Sequence, residues 1–129
     1  MSSCVLDASA LLALLNDEPG ADVVAAALDD SGTVIGSVNY CEVVGKLAQY
    51  GMPDNAIRQV LGQIGLSVHD FDEALALQAG LLRPSTMKQG LSLGDRCCLA
   101  LAQMLALPAL TADKAWADVK IGAPVKLIR

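Results

Sequence analysis

The sequence predicts an α/β fold on a mainly parallel sheet in one domain, and two observations lead there. Apolar runs of three to five residues alternate with segments of helical periodicity. That alternation is the mark of βα units, which place strands side by side and parallel. No repeat, low-complexity tract or linker divides the 129 residues, so one domain spanning residues 1–129 is expected.

The elements follow in order. Ser3–Leu6 reads as a strand ending at Asp7, and Ala8–Leu15 as a helix broken by Asn16–Gly20. Ala21–Leu28 is helical, and Thr33–Ser37, rich in β-branched residues, is the second strand. Asn39–Tyr50 is a helix stopped by Gly51 and Pro53, and Asp54–Gln63 is another. Leu66–Val68 is the third strand, Phe71–Leu82 a helix and Arg83–Gly90 a loop. Leu93–Ala106 is a long helix, Pro108–Leu110 a short strand, Asp113–Val119 a short helix and Val125–Ile128 the last strand.

Composition narrows the function. Apolar residues make up 53% of the chain, too many for disorder, and with one Phe, one Trp and two Tyr the core is aliphatic. The longest uncharged stretch, Cys97–Ala112, falls short of the roughly 18 apolar residues of a membrane span. The N-terminus lacks a basic region followed by an apolar run, so a cytoplasmic location without a membrane is expected. Cys4, Cys41, Cys97 and Cys98 form no C-x-x-C pair and read as small buried hydrophobes. A net charge of −5 argues against a basic nucleic-acid footprint. A metal site is the exception, because it gathers carboxylates and lets the cation meet the phosphate.

Three acids occupy the places where such a site forms, and a fourth, Asp95, follows a loop that leaves its place less determined. Ligands of parallel sheets bind at the carboxyl ends of the strands. Asp7 and Asp113 lie just past strand ends, and Glu42 lies about one helical turn beyond another. Each acid also reads as a helix cap. Asn39-x-x-Glu42 and Ser92-x-x-Asp95 both have capping-box spacing. Asp95 opens a helix with Cys97, Ala100, Leu101 and Met104 on one stripe and Cys98, Leu99 and Ala102 on another. A helix apolar on nearly all sides is buried, and a carboxylate at its entrance needs a partner or a metal. Converging carboxylates suit a hard cation with oxygen ligands, magnesium above all, rather than zinc. The only histidine, His69, has no constellation around it, so an imidazole base is not expected.

At these residues the chain resembles the PIN-domain nucleases, and within them the VapC-type toxins. The resemblance rests on Val5-Leu6-Asp7-Ala8-Ser9-Ala10-Leu11, Glu42, Leu91-Ser92-Leu93-Gly94-Asp95-Arg96 and Leu110-Thr111-Ala112-Asp113. It implies a three-layer fold with a central five-stranded parallel sheet flanked by helices. It implies one or two Mg²⁺ or Mn²⁺ ions held by Asp7, Glu42, Asp95 and Asp113. The activity implied is that of an endoribonuclease whose metal-activated water leaves a 5′-phosphate. Ser9 and Thr111 match positions where relatives place hydroxyls near the metal, though turn polarity explains them equally. Asp118 matches a further, outer acid. The implied partners are an RNA substrate, a cognate antitoxin that neutralises the toxin, and a second copy in a homodimer. Leu11, Leu12, Leu14 and Leu15 offer apolar surface for such contacts or belong to the core. Arg96, Lys46 and Lys114 are candidates to hold RNA phosphate or are solvated charges.

Other readings fit less well. A receiver domain needs an acidic pair after the first strand, and Asp7 has no neighbouring acid. A haloacid-type phosphatase needs Asp-x-Asp where this chain has Asp7-Ala8-Ser9, and neither phosphate-loop glycine pattern occurs. The closer alternatives are a PIN nuclease with a housekeeping role in RNA processing and a non-catalytic RNA-binding PIN module.

Overall fold

The structure, a computed structural model, describes residues 3–129, apart from the side chains of Asp30 and Ser31. Five strands are present: β1 (Cys4–Leu6), β2 (Thr33–Gly36), β3 (Ser67–His69), β4 (Ala109–Thr111) and β5 (Val125–Leu127). They form one sheet in the order β3-β2-β1-β4-β5, with every pair parallel. Between them lie α1 (Ala8–Leu15), α2 (Ala21–Ser31), α3 (Ser37–Gln49), α4 (Asp54–Ile64), α5 (Glu73–Leu81), α6 (Arg83–Thr86) and α7 (Leu93–Leu105). A 3₁₀ turn, Lys114–Asp118, joins β4 to the segment before β5.

The pleat sorts the strand side chains into two cores. Cys4, Leu6, Ile35 and Leu110 pack with Ala10, Leu11, Val24, Val43, Leu47, Ile57 and Leu61 of α1–α4. Val5, Val34 and Ala109 point the other way, onto Leu75 and Ala79 of α5, Cys97–Ala102 of α7, and Trp116. Helices therefore cover both faces, the three-layer arrangement that parallel sheets require. The leucines of α1 belong to this packing: Leu11 is fully buried, and Leu12, Leu14 and Leu15 lie half-buried against the same core. Among the described residues, no helix is long and apolar enough to cross a membrane.

The strand order reverses beside β1. The chain runs outward through β2 and β3, then returns across the sheet to β4 and β5. In parallel sheets such a reversal marks the carboxyl ends of the adjoining strands, here β1 and β4, as the place where ligands bind.

Some boundaries differ from the expected ones. α3 begins at Ser37, directly after β2, and not at Asn39. Gly36 precedes it without a side-chain cap, and the Ser37 hydroxyl instead accepts from Phe71 N. β3 is shifted by one residue to Ser67–His69, where Gly36 pairs with His69. It is an edge strand with Ser67 and Val68 exposed, so burial gives its sequence little pattern. The expected loop at Arg83–Gly90 contains α6, whose first turn holds Pro84, where a missing N–H is harmless. On α7, Met104 is exposed rather than part of the buried stripe.

Candidate active site

Asp7 sits at the carboxyl end of β1. It follows β1, caps α1 by accepting from Ala10 N at 2.8 Å, and is only 3% exposed. Two hydroxyls donate to its carboxylate: Ser9 Oγ at 2.7 Å to Oδ1 and Thr111 Oγ1 at 2.6 Å to Oδ2. Each hydroxyl accepts in turn from the backbone beyond β4, Ser9 from Ala112 N and Thr111 from Asp113 N. Their protons therefore point at Asp7, and the loop carrying Asp113 is tied to it. Burial raises the Asp7 carboxyl to about 6, against the pull of Thr111, Ala10 N and Ser9, and the Asp95 charge adds to the rise.

Glu42 reaches the same edge from α3. Its Oε1 accepts from Asn39 Nδ2 at 2.9 Å, and the same nitrogen donates to Gly94 O at 3.0 Å. The expected capping box at Asn39 is absent, because Asn39 lies inside the helix rather than before it. It bridges α3 to α7 instead. The Glu42 carboxyl is also raised, first by burial and further by Asp95, while the Asn39 hydrogen bond lowers it.

Asp95 is a cap whose charge also reaches two of the other acids. Ser92 N donates to its Oδ2 and Asp95 N donates to Ser92 Oγ, which completes the expected capping box. Its charge bears on Asp7 and on Glu42. Cys98, one turn along α7 and fully buried, feels Asp7, Asp95 and Glu42 together, and burial with these charges pushes its thiol well up. The charges of the three carboxylates thus all bear on Cys98.

Asp113 stands apart. It is exposed and caps the 3₁₀ turn by accepting from Ala115 N. Asp118, at the end of that turn, is exposed as well. Arg96 does not line the acids: it is buried, and Nη1 donates to Ala79 O of α5. It braces two helices, so the expectation of an exposed phosphate contact there is corrected. Lys46 and Lys114 are exposed. Lys46 lines a groove of about 420 Å³ with Ala8, Leu12, Glu42, Gly45 and Gln49.

The donor set is all oxygen, and it lacks cationic company. Among the described residues, the ion pairs are Arg58–Asp54 and Arg129–Glu18, and neither involves the four acids. Nor do three His, Cys, Asp or Glu side chains among the described residues form a ready-made cage for a bare ion. The reason is local. Asp7 is enclosed by three donors, and Asp95 and Asp113 each commit an oxygen to a backbone N–H. Such a set fits a hard cation that keeps much of its water, as Mg²⁺ does, better than a fully dehydrated one. Sequence reasoning missed Asn39 as the holder of Glu42 and Gly94 as the surface under it. The one available signal was a polar residue one turn before Glu42, and it matched a cap equally well.

A search by sequence among curated proteins gives no match. By fold, the chain is similar to a chain of the DNA-bound VapBC from Salmonella typhimurium, with a TM-score of 0.77, 18% identity and 100% of both chains covered. It is similar to a chain of a toxin–antitoxin complex from Klebsiella pneumoniae, with a TM-score of 0.74, 22% identity and 98% of each chain covered. VapBC2 from Rickettsia felis, bound to a promoter DNA fragment, gives a TM-score of 0.76 at 13% identity, covering 96% of this chain and 97% of that one. At such identities the likeness is one of fold. The family model of the PIN domain matches residues 4–122, a span that takes in Asp7, Glu42, Asp95 and Asp113, and the chain belongs to the PIN-domain family.

Proposed function

We propose that this chain is a divalent-metal-dependent endoribonuclease and the toxin of a VapBC-type toxin–antitoxin pair. The observation that carries the reading is that the charges of Asp7, Glu42 and Asp95 bear on one another and on Cys98, while no ion pair among the described residues engages them. Bare carboxylates so placed repel one another, and a PIN domain gives that cost a purpose.

Asp7, Glu42 and Asp95 would hold Mg²⁺ or Mn²⁺, with Asp113 adding charge from the rim and Asp118 further out. When bound, the cation supplies positive charge for phosphate oxygens and acidifies a water for attack. The chain's own residues do the rest. Ser9 and Thr111 keep the Asp7 carboxylate in one orientation and favour its ionised form. The groove beside Glu42, with Lys46 on its wall, gives the RNA backbone a path to the acids. Arg96 serves as scaffold rather than as a substrate contact. The chain acts as one domain over residues 1–129, pairs with a second copy, works in the cytoplasm and is silenced by a cognate antitoxin. The fold neighbours support that last point, since they were solved as toxin–antitoxin complexes.

The test is cleavage of total RNA by the purified chain with Mg²⁺, Mn²⁺ or EDTA, followed by mapping of the ends. Metal-dependent cuts bearing 5′-phosphates, lost in Asp7→Asn, are expected. Equal cleavage in EDTA, or by Asp7→Asn, would sink the metal mechanism. Expression alone should arrest growth, and a small protein encoded beside the chain should relieve it. Harmless expression of folded protein would favour the housekeeping nuclease.

A further inference from the structure

We infer that Asn39 and Gly94 are positioning residues that hold the Glu42 carboxylate over the first turn of α7, beside Asp95. The inference rests on the metal-site reading above and concerns how one acid of that site is kept in place.

Gly94 lies in the first turn of α7 and does not have a positive φ, so no backbone conformation demands glycine there. Space does. A Cβ built on Gly94 would meet Glu42 Oε2 at 2.5 Å, Oε1 at 2.6 Å and Cδ at 2.7 Å. The three nearest atoms all belong to one carboxylate. The other glycines without a positive φ show no such conflict: Gly45, Gly62 and Gly80 face open space, and Gly36 has ordinary contacts at 3.5 Å. Gly94 is therefore the floor on which the Glu42 carboxylate rests.

Asn39 is the clamp from the other side. It is 1% exposed, and Nδ2 donates to Glu42 Oε1 and to Gly94 O. The orientation of the amide follows from its partners: a flip would set Oδ1 against a carboxylate and a carbonyl, both acceptors. This orientation leaves Oδ1 buried without a partner. An unsatisfied acceptor in a core asks for a reason, and an apolar side chain of similar size would avoid it. The reason is the hydrogen bond to Glu42. That residue is exposed overall, so an untethered carboxylate would leave for water and away from the like charge of Asp95. The clamp opposes this repulsion.

The test compares wild type with Gly94→Ala, Asn39→Leu, Glu42→Asp and the double variant Gly94→Ala/Glu42→Asp. Mn²⁺ affinity is read by titration calorimetry, unfolding temperature in EDTA by circular dichroism, and RNA cleavage alongside. Gly94→Ala and Asn39→Leu should each weaken Mn²⁺ binding by about 10–100-fold, the usual cost of losing an outer support of a metal ligand. In EDTA, Gly94→Ala should unfold at or above the wild-type temperature, since alanine favours the helix. The shorter acid of Glu42→Asp clears the added methyl, so Gly94→Ala should cost much less in that background. A role confined to folding would leave no such coupling. If wild type binds Mn²⁺ and Gly94→Ala binds it equally well, the positioning role is overturned and the metal reading stands. If Asn39→Leu alone keeps wild-type affinity, the clamp is overturned. If wild type itself does not bind Mn²⁺, the metal reading fails, and this inference with it.

Discussion

Asp7 and Asp113 look alike in the sequence and differ in the fold. Each follows an apolar strand of the central pair, and each caps the helical turn that comes next. Yet Asp7 is 3% exposed while Asp113 is on the surface. Register explains the difference. Leu6 is level with Leu110, so the position level with Asp7 is Thr111, not Asp113. Thr111 is fully buried and spends its hydroxyl on Asp7, while Asp113 stands two residues further along, past the edge. Of these two acids, Asp7 is thus the one taken out of water, while Asp113 stays on the surface.

The largest effect that follows is the loss of function in Asp7→Asn. Cleavage should fall by at least about 100-fold, at or beyond the upper end of what loss of an outer support costs, because the proposed metal site loses a ligand charge. Metal-induced stabilisation should go with it, since linkage needs a ligand set present only in the folded state. A variant that keeps both would show that Asp7 is only the cap of α1.

Next comes the pH dependence without metal. The folded Asp7 carboxyl titrates at about 6, above its ordinary value of 3.8, so the folded state binds this proton more tightly than the unfolded one. The resulting stability is fully present below pH 3.8 and is lost as pH rises through about 6. At neutral pH the buried charge therefore costs about 2–3 kcal/mol, an order-of-magnitude figure. In EDTA, Asp7→Asn should equal or exceed wild type in urea unfolding at pH 7.5, where pH 7.5 is a chosen condition about 1.5 units above the titration. The advantage should shrink as pH falls toward about 4. A variant clearly weaker at neutral pH would mean that the cap outweighs the desolvation.

The same contrast marks what could be read from the sequence. The strand–helix order, the exact span of α1 and the capping box at Ser92 and Asp95 were legible, because each is set by neighbours in the chain and by burial pattern. Asn39 was misread because its spacing to Glu42 satisfies a local motif, while its second bond crosses to Gly94, 55 residues away. The place of Gly94 under Glu42, the register that sets Thr111 against Asp7, and the burial of Arg96 are likewise products of tertiary packing. The acids themselves stood out as caps. Their proposed grouping depends on how α3, α7 and β1 meet, which no single segment encodes.

Thr111→Val sharpens the link between the two acids. Valine matches the shape but removes the donor to Asp7 Oδ2 and the acceptor for Asp113 N. The cost should be about 1–3 kcal/mol in EDTA, since a backbone N–H and a buried carboxylate each lose a partner. With that donor gone, the Asp7 carboxyl should titrate higher still. Carboxyl chemical shifts of labelled Asp7, followed against pH, would show this, and an unchanged titration would mean that Ser9 and Ala10 N suffice.

Asp113→Asn should have the smallest effect on stability, and it tests the comparison from its quiet side. Asparagine caps a helical turn about as well as aspartate, so the bond from Ala115 N is retained. The backbone bond from Asp113 N to Thr111 is untouched by the change. At an exposed position such a substitution should move stability by no more than about 0.5 kcal/mol, with or without EDTA. Cleavage should still fall, because the resemblance implies a ligand role for this acid, but by less than in Asp7→Asn. The comparison breaks if Asp113→Asn raises stability in EDTA as much as Asp7→Asn does. Two equal gains would mean that both charges are held against repulsion, and that Asp113 moves inward from the rim when the protein is in solution. A small stability change with a real loss of cleavage is the outcome expected of a charge that acts from the rim, where water screens it until a cation and a phosphate are bound.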